Sequence, residues 1–237
     1  MTATDALRQL DALANPEIAE HSQRFFKTGP GDYAEGDHFI GVRMPQIRQL
    51  VRDARGMDLG EVQALLTSEW HEARLLAVLL MADACKRAKT PPAERAAIVD
   101  LYLDHTAYIN NWDLVDGSAH YVVGPHVDAL GDLSLLDELA VSESLWERRI
   151  AIISTFHFIR KNEFLPTLQI ATTLRDDPHD LIHKAVGWML REVGKREQEV
   201  EEGFLRQHYT QMPRTMLRYA IERFPEPLRQ QYLQGTI

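Results

Sequence analysis

The sequence predicts an all-α protein built from stacked helical repeats. Apolar residues recur at three- and four-residue intervals, strand-like alternation is scarce, and small residues return at a regular long spacing. The helical spacing is clear in two sets, namely Leu75, Leu76, Leu79 and Leu80, and again Ile150, Ile153 and Phe156. Helical periodicity along nearly all of the 237 residues therefore favours a helical solenoid over a mixed fold.

Prolines mark the predicted starts of six helices. Each proline lies near a first helical turn, where its missing N–H group costs no hydrogen bond. The six segments are Asn15-Pro16-Glu17, Met44-Pro45-Gln46, Thr90-Pro91-Pro92, Asp177-Pro178-His179, Met212-Pro213-Arg214 and Phe224-Pro225-Glu226. We therefore expect about a dozen short helices. The one long irregular segment, residues 27–41, holds four of the thirteen glycines but lacks the ending of a phosphate-binding loop.

A degenerate internal repeat supports the solenoid. Five segments place a small residue three positions after their first residue: Arg74-x-x-Ala77, Asp116-x-x-Ala119, Arg148-x-x-Ala151, Lys184-x-x-Gly187 and Leu217-x-x-Ala220. The small residues are 42, 32, 36 and 33 positions apart, which suits paired helices in a single repeat domain over residues 1–237. Asp116 fills the slot that is basic in three other copies, which suggests a separate task for that residue.

Composition limits the class of protein. The single cysteine, Cys85, forms no internal disulfide and no cysteine-based zinc site, which favours a reducing compartment. The N-terminus has no apolar run of signal length, and no stretch approaches the ~18 apolar residues that a membrane span requires. We therefore predict a cytoplasmic protein without a membrane partner.

Charge is distributed unevenly along the chain. Residues 1–147 carry 12 basic and 24 acidic side chains, whereas residues 148–237 carry 14 basic and 11 acidic ones. An acidic half joined to a basic half suggests two functional surfaces, although solvated helix faces explain most such charges. The basic side chains of the second half include Arg148, Arg149, Lys184, Arg191 and Lys195, although the net charge of −9 by itself argues against a nucleic-acid partner.

The most acidic stretch contains a candidate site for a cation. Residues 101–147 include nine Asp or Glu and no Lys or Arg. On a helix, Trp112 and Asp116 are four residues apart and share one face, and an indole beside a carboxylate attracts a cation. An ordinary amphipathic helix with a half-buried tryptophan explains the same pattern.

Other constellations are weaker. His179 and His183 have a spacing that metals use, but no third ligand is evident, so neither a metal nor a cofactor is predicted. No serine or cysteine has a convincing nucleophile motif around it.

Three motifs, in order, resemble the AlkD family of DNA alkylation repair enzymes. They are Trp112-Asp113-Leu114-Val115-Asp116, Trp146-Glu147-Arg148-Arg149-Ile150-Ala151 and Lys184-Ala185-Val186-Gly187-Trp188-Met189-Leu190-Arg191-Glu192. The segment Phe39-Ile40-Gly41-Val42-Arg43-Met44-Pro45-Gln46-Ile47-Arg48 also resembles family members. The resemblance implies a C-shaped solenoid of HEAT-like repeats whose basic concave face binds duplex DNA. On that basis we expect the DNA-binding residues to be Arg148, Arg149, Lys184, Arg191 and Lys195. We expect a monomer.

The resemblance also implies an activity, namely the removal of positively charged N3- and N7-alkylpurines without flipping the base into a pocket. By motif position, Trp112, Asp116 and Trp188 match the catalytic set, and Arg149 matches a DNA-contacting arginine. For Trp188, a buried core aromatic beside Gly187 is the alternative. The acidic balance of the chain departs from the family pattern. Two other functions therefore stay open: non-catalytic binding of distorted or branched DNA, and a protein-binding helical scaffold.

Overall fold

The protein is almost entirely helical, as predicted. The computed structural model describes residues 1–237, and its only β-type pairing is an isolated bridge between His38 and Trp70. Its contacts divide the chain into two compact units, Met1–Val122 and Val123–Ile237. The all-α fold class is confirmed, whereas the single repeat domain, the C shape and the concave face stay predictions.

The first unit contains six helices and the beginning of a seventh. These are α1 (Ala3–Ala12), α2 (Pro16–Phe25), α3 (Met44–Asp53), α4 (Leu59–Leu66), α5 (His71–Lys86), α6 (Pro92–Asp104) and α7 (Trp112–Leu130). A short 3₁₀ turn, Thr106–Tyr108, lies between α6 and α7. The core of this unit includes Leu10, Ile47, Leu65 and Leu76, all nearly inaccessible to solvent.

The second unit continues from α7 with eight further helices. These are α8 (Ser134–Ala140), α9 (Leu145–Ser154), α10 (Phe156–Arg160), α11 (Leu165–Thr173), α12 (Asp180–Gly194), α13 (Gln198–His208), α14 (Arg214–Ala220) and α15 (Glu226–Gln234). A 3₁₀ turn, Ile221–Arg223, follows α14. None of the helices combines the length and the hydropathy that crossing a lipid bilayer requires.

The six proline-marked helix starts are confirmed. In each segment the helix begins within two residues of a proline, at Pro16, Met44, Pro92, Asp180, Arg214 and Glu226. At the first of them, the Asn15 side chain caps α2 by accepting a hydrogen bond from the Ile18 N–H at 3.1 Å. The local chemistry of these turns therefore sets the helix boundaries.

The glycine-rich loop, residues 27–41, is irregular as predicted, and it is tied to the start of α5. The buried Glu72 carboxylate accepts hydrogen bonds from the N–H groups of Ile40 (2.9 Å), Gly41 (2.7 Å) and Val42 (3.2 Å). Gly41 has φ of 88°, and a Cβ there would lie 2.1 Å from the carbonyl oxygen of Asn15. Only glycine fits this close approach between the loop and α2.

Two arginines of the predicted repeat make the same contacts with the backbone, and each also binds a carboxylate. Arg74 Nη1 donates to the carbonyl groups five and six residues before it, and Nη2 donates to Asp37 at 2.6 Å. Arg148 Nη1 likewise donates to the carbonyl groups five and six residues before it, and Nε donates to Asp177 at 2.6 Å. We call this arrangement the arginine clasp. It supports the register that aligns Arg74 with Arg148.

The small residue of a repeat copy allows close helix packing in the second unit. A Cβ at Gly187 on α12 would lie 2.4 Å from the Met216 carbonyl oxygen and 2.6 Å from Tyr219 Cβ on α14. No side chain fits between these helices, because such distances are shorter than van der Waals contact. The glycine is therefore required for the packing of α12 on α14.

Candidate active site

The first turns of α7 present the predicted tryptophan and aspartate. Leu114 and Val115 are fully buried and anchor the helix, whereas Trp112 and Asp116 are half-buried. The fully buried Asn111 accepts a hydrogen bond from the Trp112 N–H at 2.8 Å. The prediction that Trp112 and Asp116 stand one turn apart on one helix is confirmed.

Two phenylalanines hold the indole of Trp112. The Phe26 ring stacks on it, with centroids 5.2 Å apart and planes at 21°, and the Phe25 ring meets it edge-on at 5.9 Å. Phe25 is 57% exposed, at the end of a helix, α2, that completely buries none of its residues. Phe26 covers one face of the indole, so a ligand can approach only the other face or the ring edge.

The stacking continues inward to a buried histidine. Phe26 stacks on Phe39 at 5.1 Å, and Phe39 stacks on His71 at 4.4 Å. We call Trp112, Phe26, Phe39 and His71 the ring stack. It connects α2, the glycine-rich loop, α5 and α7, all within the first unit.

His71 lies between two carboxylates. Its Nε2 is 2.9 Å from an oxygen of Asp113, its Nδ1 is 3.3 Å from an oxygen of Asp37, and its side chain is 2% exposed. Burial lowers the pKa of the imidazole, but Asp113 and Asp37 outweigh burial and raise that pKa to about 9. Both ring nitrogens therefore carry protons at neutral pH and donate to the two carboxylates.

Asp37 completes a buried group of four charges. It accepts hydrogen bonds from Arg74 Nη2 at 2.6 Å and from Asn110 Nδ2 at 3.2 Å. Burial raises the pKa of Asp37, but the bond from His71 and the charge of Arg74 outweigh it and leave the pKa lowered. We call Asp37, His71, Arg74 and Asp113 the ion network. With His71 protonated, its two positive and two negative charges balance.

The negative charge of Asp116 acts on a buried tyrosine, Tyr102. Burial and the negative charge of Asp116 raise the pKa of Tyr102, so this phenol stays neutral. Ser118 Oγ donates to the Leu114 carbonyl oxygen at 2.6 Å, so the Tyr102 hydroxyl must donate to Ser118 Oγ, which is 2.8 Å away. These hydrogen bonds tie the segment of α7 that carries Asp116 to Tyr102 of α6.

In the second unit, Trp188 is half-buried and therefore differs from a fully buried core aromatic. Its Nε1–H donates to Glu192 Oε1 at 3.1 Å, and its ring lies 6.1 Å from the ring of Phe156. The other Glu192 oxygen, Oε2, accepts a hydrogen bond from Lys195 Nζ at 2.7 Å. Glu192 thus links the predicted aromatic contact to a predicted DNA-binding lysine.

The five predicted DNA-binding residues all contact acceptors within the second unit. The pairs are Arg148 with Asp177 at 2.6 Å, Arg149 with the Leu181 carbonyl at 2.5 Å, Lys184 with Asp180 at 2.7 Å, Lys195 with Glu192 at 2.7 Å, and Arg191 with Glu222. The side chains of Lys184 and Lys195 are 39% and 51% exposed, whereas Arg149 is buried. Because exposed ion pairs contribute little to stability, these two lysines can exchange their partners most easily.

Replacing Glu192 with Gln is expected to strengthen the binding of duplex DNA by about two- to fivefold at low salt. The amide oxygen still accepts from Trp188 Nε1, but the charge that competes with phosphate for Lys195 is gone. Fluorescence anisotropy with a labelled duplex measures the change. Glu199→Gln makes the same charge change on an exposed part of α13 and serves as the control. An equal gain in both variants would exclude a specific effect through Lys195.

The residues that support Trp112 could not be predicted from local sequence patterns. Phe26, Phe39 and His71 are separated from Trp112 by tens of residues, and no helical spacing connects them. One signal was present: Phe25 and Phe26 are adjacent at a helix end, where two large apolar groups need a partner.

The two histidines with metal-like spacing contact the local backbone. The Leu181 N–H donates to His179 Nδ1 at 3.1 Å, and His183 Nε2 donates to the Asp177 carbonyl. No group of three or more His, Cys, Asp or Glu side chains is arranged to hold a metal ion. Both rings therefore form hydrogen bonds with backbone groups at the start of α12.

Comparison with known proteins identifies a family. The model of the family described as DNA alkylation repair enzyme matches residues 6–224. A solved structure, described as a predicted DNA alkylation repair enzyme from Enterococcus faecalis, aligns with a TM-score of 0.70 at 20% sequence identity. The alignment covers 90% of this chain and 97% of that chain, which establishes the shared fold. No curated protein matches the sequence.

Proposed function

This chain belongs to the DNA alkylation repair enzyme family, and from that premise we propose that it is a DNA glycosylase of base excision repair. Its substrates are positively charged N3- and N7-alkylpurines in duplex DNA, and the base is removed without being flipped into a pocket. The observation that carries the proposal is the start of α7. There Trp112 and Asp116 are one turn apart on a helix whose Leu114 and Val115 are buried in the core. The protein acts as a cytoplasmic monomer without a cofactor.

The proposed reaction requires a negatively charged carboxylate rather than a general acid that protonates the leaving base. An N3- or N7-alkylated purine already carries a positive charge, so it leaves without being protonated. Positive charge develops on the sugar as the bond breaks, as in glycoside hydrolysis, where carboxylates stabilise it. Asp116 supplies this stabilisation and positions a water molecule for attack. A preorganised group facing developing charge contributes on the order of 3–4 kcal/mol.

The two tryptophans bind the sugar and the lesion. A cation over an indole face gains about 0.5–2 kcal/mol, depending on how well water is excluded. Phe26 covers one face of Trp112, and we assign the opposite indole face to the ligand. Trp188 contributes a second aromatic contact, and its hydrogen bond to Glu192 restricts its rotation.

Phosphate contacts hold the duplex in register. We assign them to the set Arg148, Arg149, Lys184, Arg191 and Lys195, with the exposed Lys184 and Lys195 exchanging their carboxylate partners for phosphates. Such contacts position the protein on DNA without reading its sequence. By its motif position, we assign Arg149 to a contact with the phosphate backbone. Its bond to the Leu181 carbonyl also joins α9 to α12.

Base release from defined duplexes tests the function. Duplexes containing N7-methylguanine or N3-methyladenine are incubated with the protein, and free base is measured by chromatography against spontaneous release. Faster release of both bases is expected, while a uracil-containing duplex should remain intact. Duplex binding without base release would support the non-catalytic alternative. No binding even at low salt would favour the helical scaffold.

A further inference from the structure

The ion network is an unusual way to build the core of a small helical unit. Asp37, His71, Arg74 and Asp113 are each at most 11% exposed in their side chains. Well-packed apolar residues often stabilise a core as well as buried ion pairs do, so buried pairs are weak contributors to net stability. Their advantage is geometric, because each hydrogen bond fixes a distance and a direction.

His71 is connected to Trp112 by two routes. The first route passes through Asp113, which is the second residue of α7 and directly follows Trp112. The second passes through the ring stack, from His71 to Phe39 at 4.4 Å and through Phe26 to the indole. The first route fixes the backbone of the helix start, and the second fixes the plane of the ring.

We propose that His71 is a positioning residue for Trp112. Its bridge between Asp37 and Asp113 locks the first turn of α7 and the ring stack, and so sets the indole face that meets the lesion. The inference rests on the proposed glycosylase function. It assigns a functional consequence to a residue that does not touch the substrate.

The imidazolium is suited to this bridge. Its two N–H groups point in divergent directions, so one ring donates to carboxylates on both sides, whereas the amide of glutamine donates from one end only. Two further charged groups lie close by: Arg74 binds Asp37, and the Glu72 carboxylate is held by the N–H groups of the glycine-rich loop. Loss of the His71 proton therefore removes one donor and leaves the network with a net negative charge.

The net negative charge of the deprotonated network allows a positioning role of His71 to be distinguished from a purely electrostatic role. An additional negative charge near Trp112 would attract a cationic purine more strongly, so excision would increase when His71 loses its proton. Positioning predicts the opposite, because the bridge between the glycine-rich loop and α7 is broken. Because the pKa of His71 is raised to about 9, the excision rate should stay unchanged up to about pH 8. It should then fall as the pH rises through about 9.

The test compares wild type with His71→Gln in single-turnover assays lasting minutes, with spontaneous release subtracted at each pH. We expect about a tenfold slower excision by the variant near pH 7, with a dissociation constant for DNA within about twofold of wild type. The pH-dependent fall near pH 9 should be absent from the variant. Thr90→Val removes a buried hydrogen bond to the Ala84 carbonyl in the same unit and should keep the wild-type rate.

A second readout does not need DNA. The fluorescence of wild type minus that of Trp112→Phe isolates the signal of Trp112, which should change as the pH passes about 9. This wild-type titration requires no change at His71, so poor folding of the variant leaves it informative. Circular dichroism checks that the protein stays folded over the titration.

The outcomes distinguish this inference from the function on which it rests. A fluorescence transition in a protein that releases no alkylated base would refute the glycosylase function and retain the coupling of His71 to Trp112. Base release that rises through pH 9, or a Trp112 signal that is flat there, would overturn positioning alone. An equal loss of rate in Thr90→Val would also overturn it, since general destabilisation would then account for the effect.

Discussion

Replacing Asp116 with Asn should slow the excision of N7-methylguanine by about a hundredfold or more while leaving DNA affinity nearly unchanged. The amide keeps the size of the side chain but cannot stabilise the positive charge that develops on the sugar. Because Trp112 and the phosphate-binding residues are unchanged, ground-state binding should be preserved. Single-turnover release of free base, together with a separate binding titration, measures the two effects independently.

The control for this variant is Asp104→Asn, which removes the same charge from an exposed position at the end of α6. It should excise at the wild-type rate, because a distant exposed charge is screened by water and salt. Uracil should be untouched by either variant, since no group in the proposed site protonates or encloses a neutral leaving base. Equal rates for wild type and Asp116→Asn would remove Asp116 from the mechanism.

Raising the salt concentration from 50 to 200 mM should weaken duplex binding by about 40- to 500-fold, if three to five phosphates are contacted. Each contact releases a counterion and contributes about 0.9 to the slope of log affinity against log salt. Lys184→Gln and Lys195→Gln should each reduce that slope by about one unit. The net charge of −9 makes this a demanding test, because binding must come from a local basic surface.

Lys89→Gln is the matched control for the salt experiment. Lys89 is exposed between α5 and α6 in the first unit and lies outside the basic segment that starts at Arg148. Its loss should leave the salt slope unchanged. A slope that falls equally in all three variants would show that binding follows overall charge and that Lys184 and Lys195 make no phosphate contact.

The helices were predictable where their signals are local. Pro16 and Pro92 begin their helices because proline fixes its own φ and needs no hydrogen-bond donor at that position. The shared face of Trp112 and Asp116 follows from helical spacing alone. These features depend only on a few neighbouring residues, so they can be predicted from the sequence.

The environment of the site depends on contacts that are distant in sequence. The pairing of Lys184 with Asp180 is the exception, because residues four apart on a helix lie on the same face. Arg191 instead pairs with Glu222, and Trp112 stacks on Phe26, so only the folded chain shows that these groups are engaged. Charge counting therefore identified the basic residues but not the carboxylates that accompany them.

The arginine clasp also bears on how the chain folds. Its hydrogen bonds from Arg74 and Arg148 to backbone carbonyl groups reach back only five and six residues, so each of these bonds closes a very short loop. Loops of this size close in about 10–100 ns, far faster than helices find distant partners. The first turns of α5 and α9 therefore have a local route to order before their helices pack. Contacts of this low sequence separation favour fast folding. We therefore expect the first turns of α5 and α9 to be early sites of helix formation.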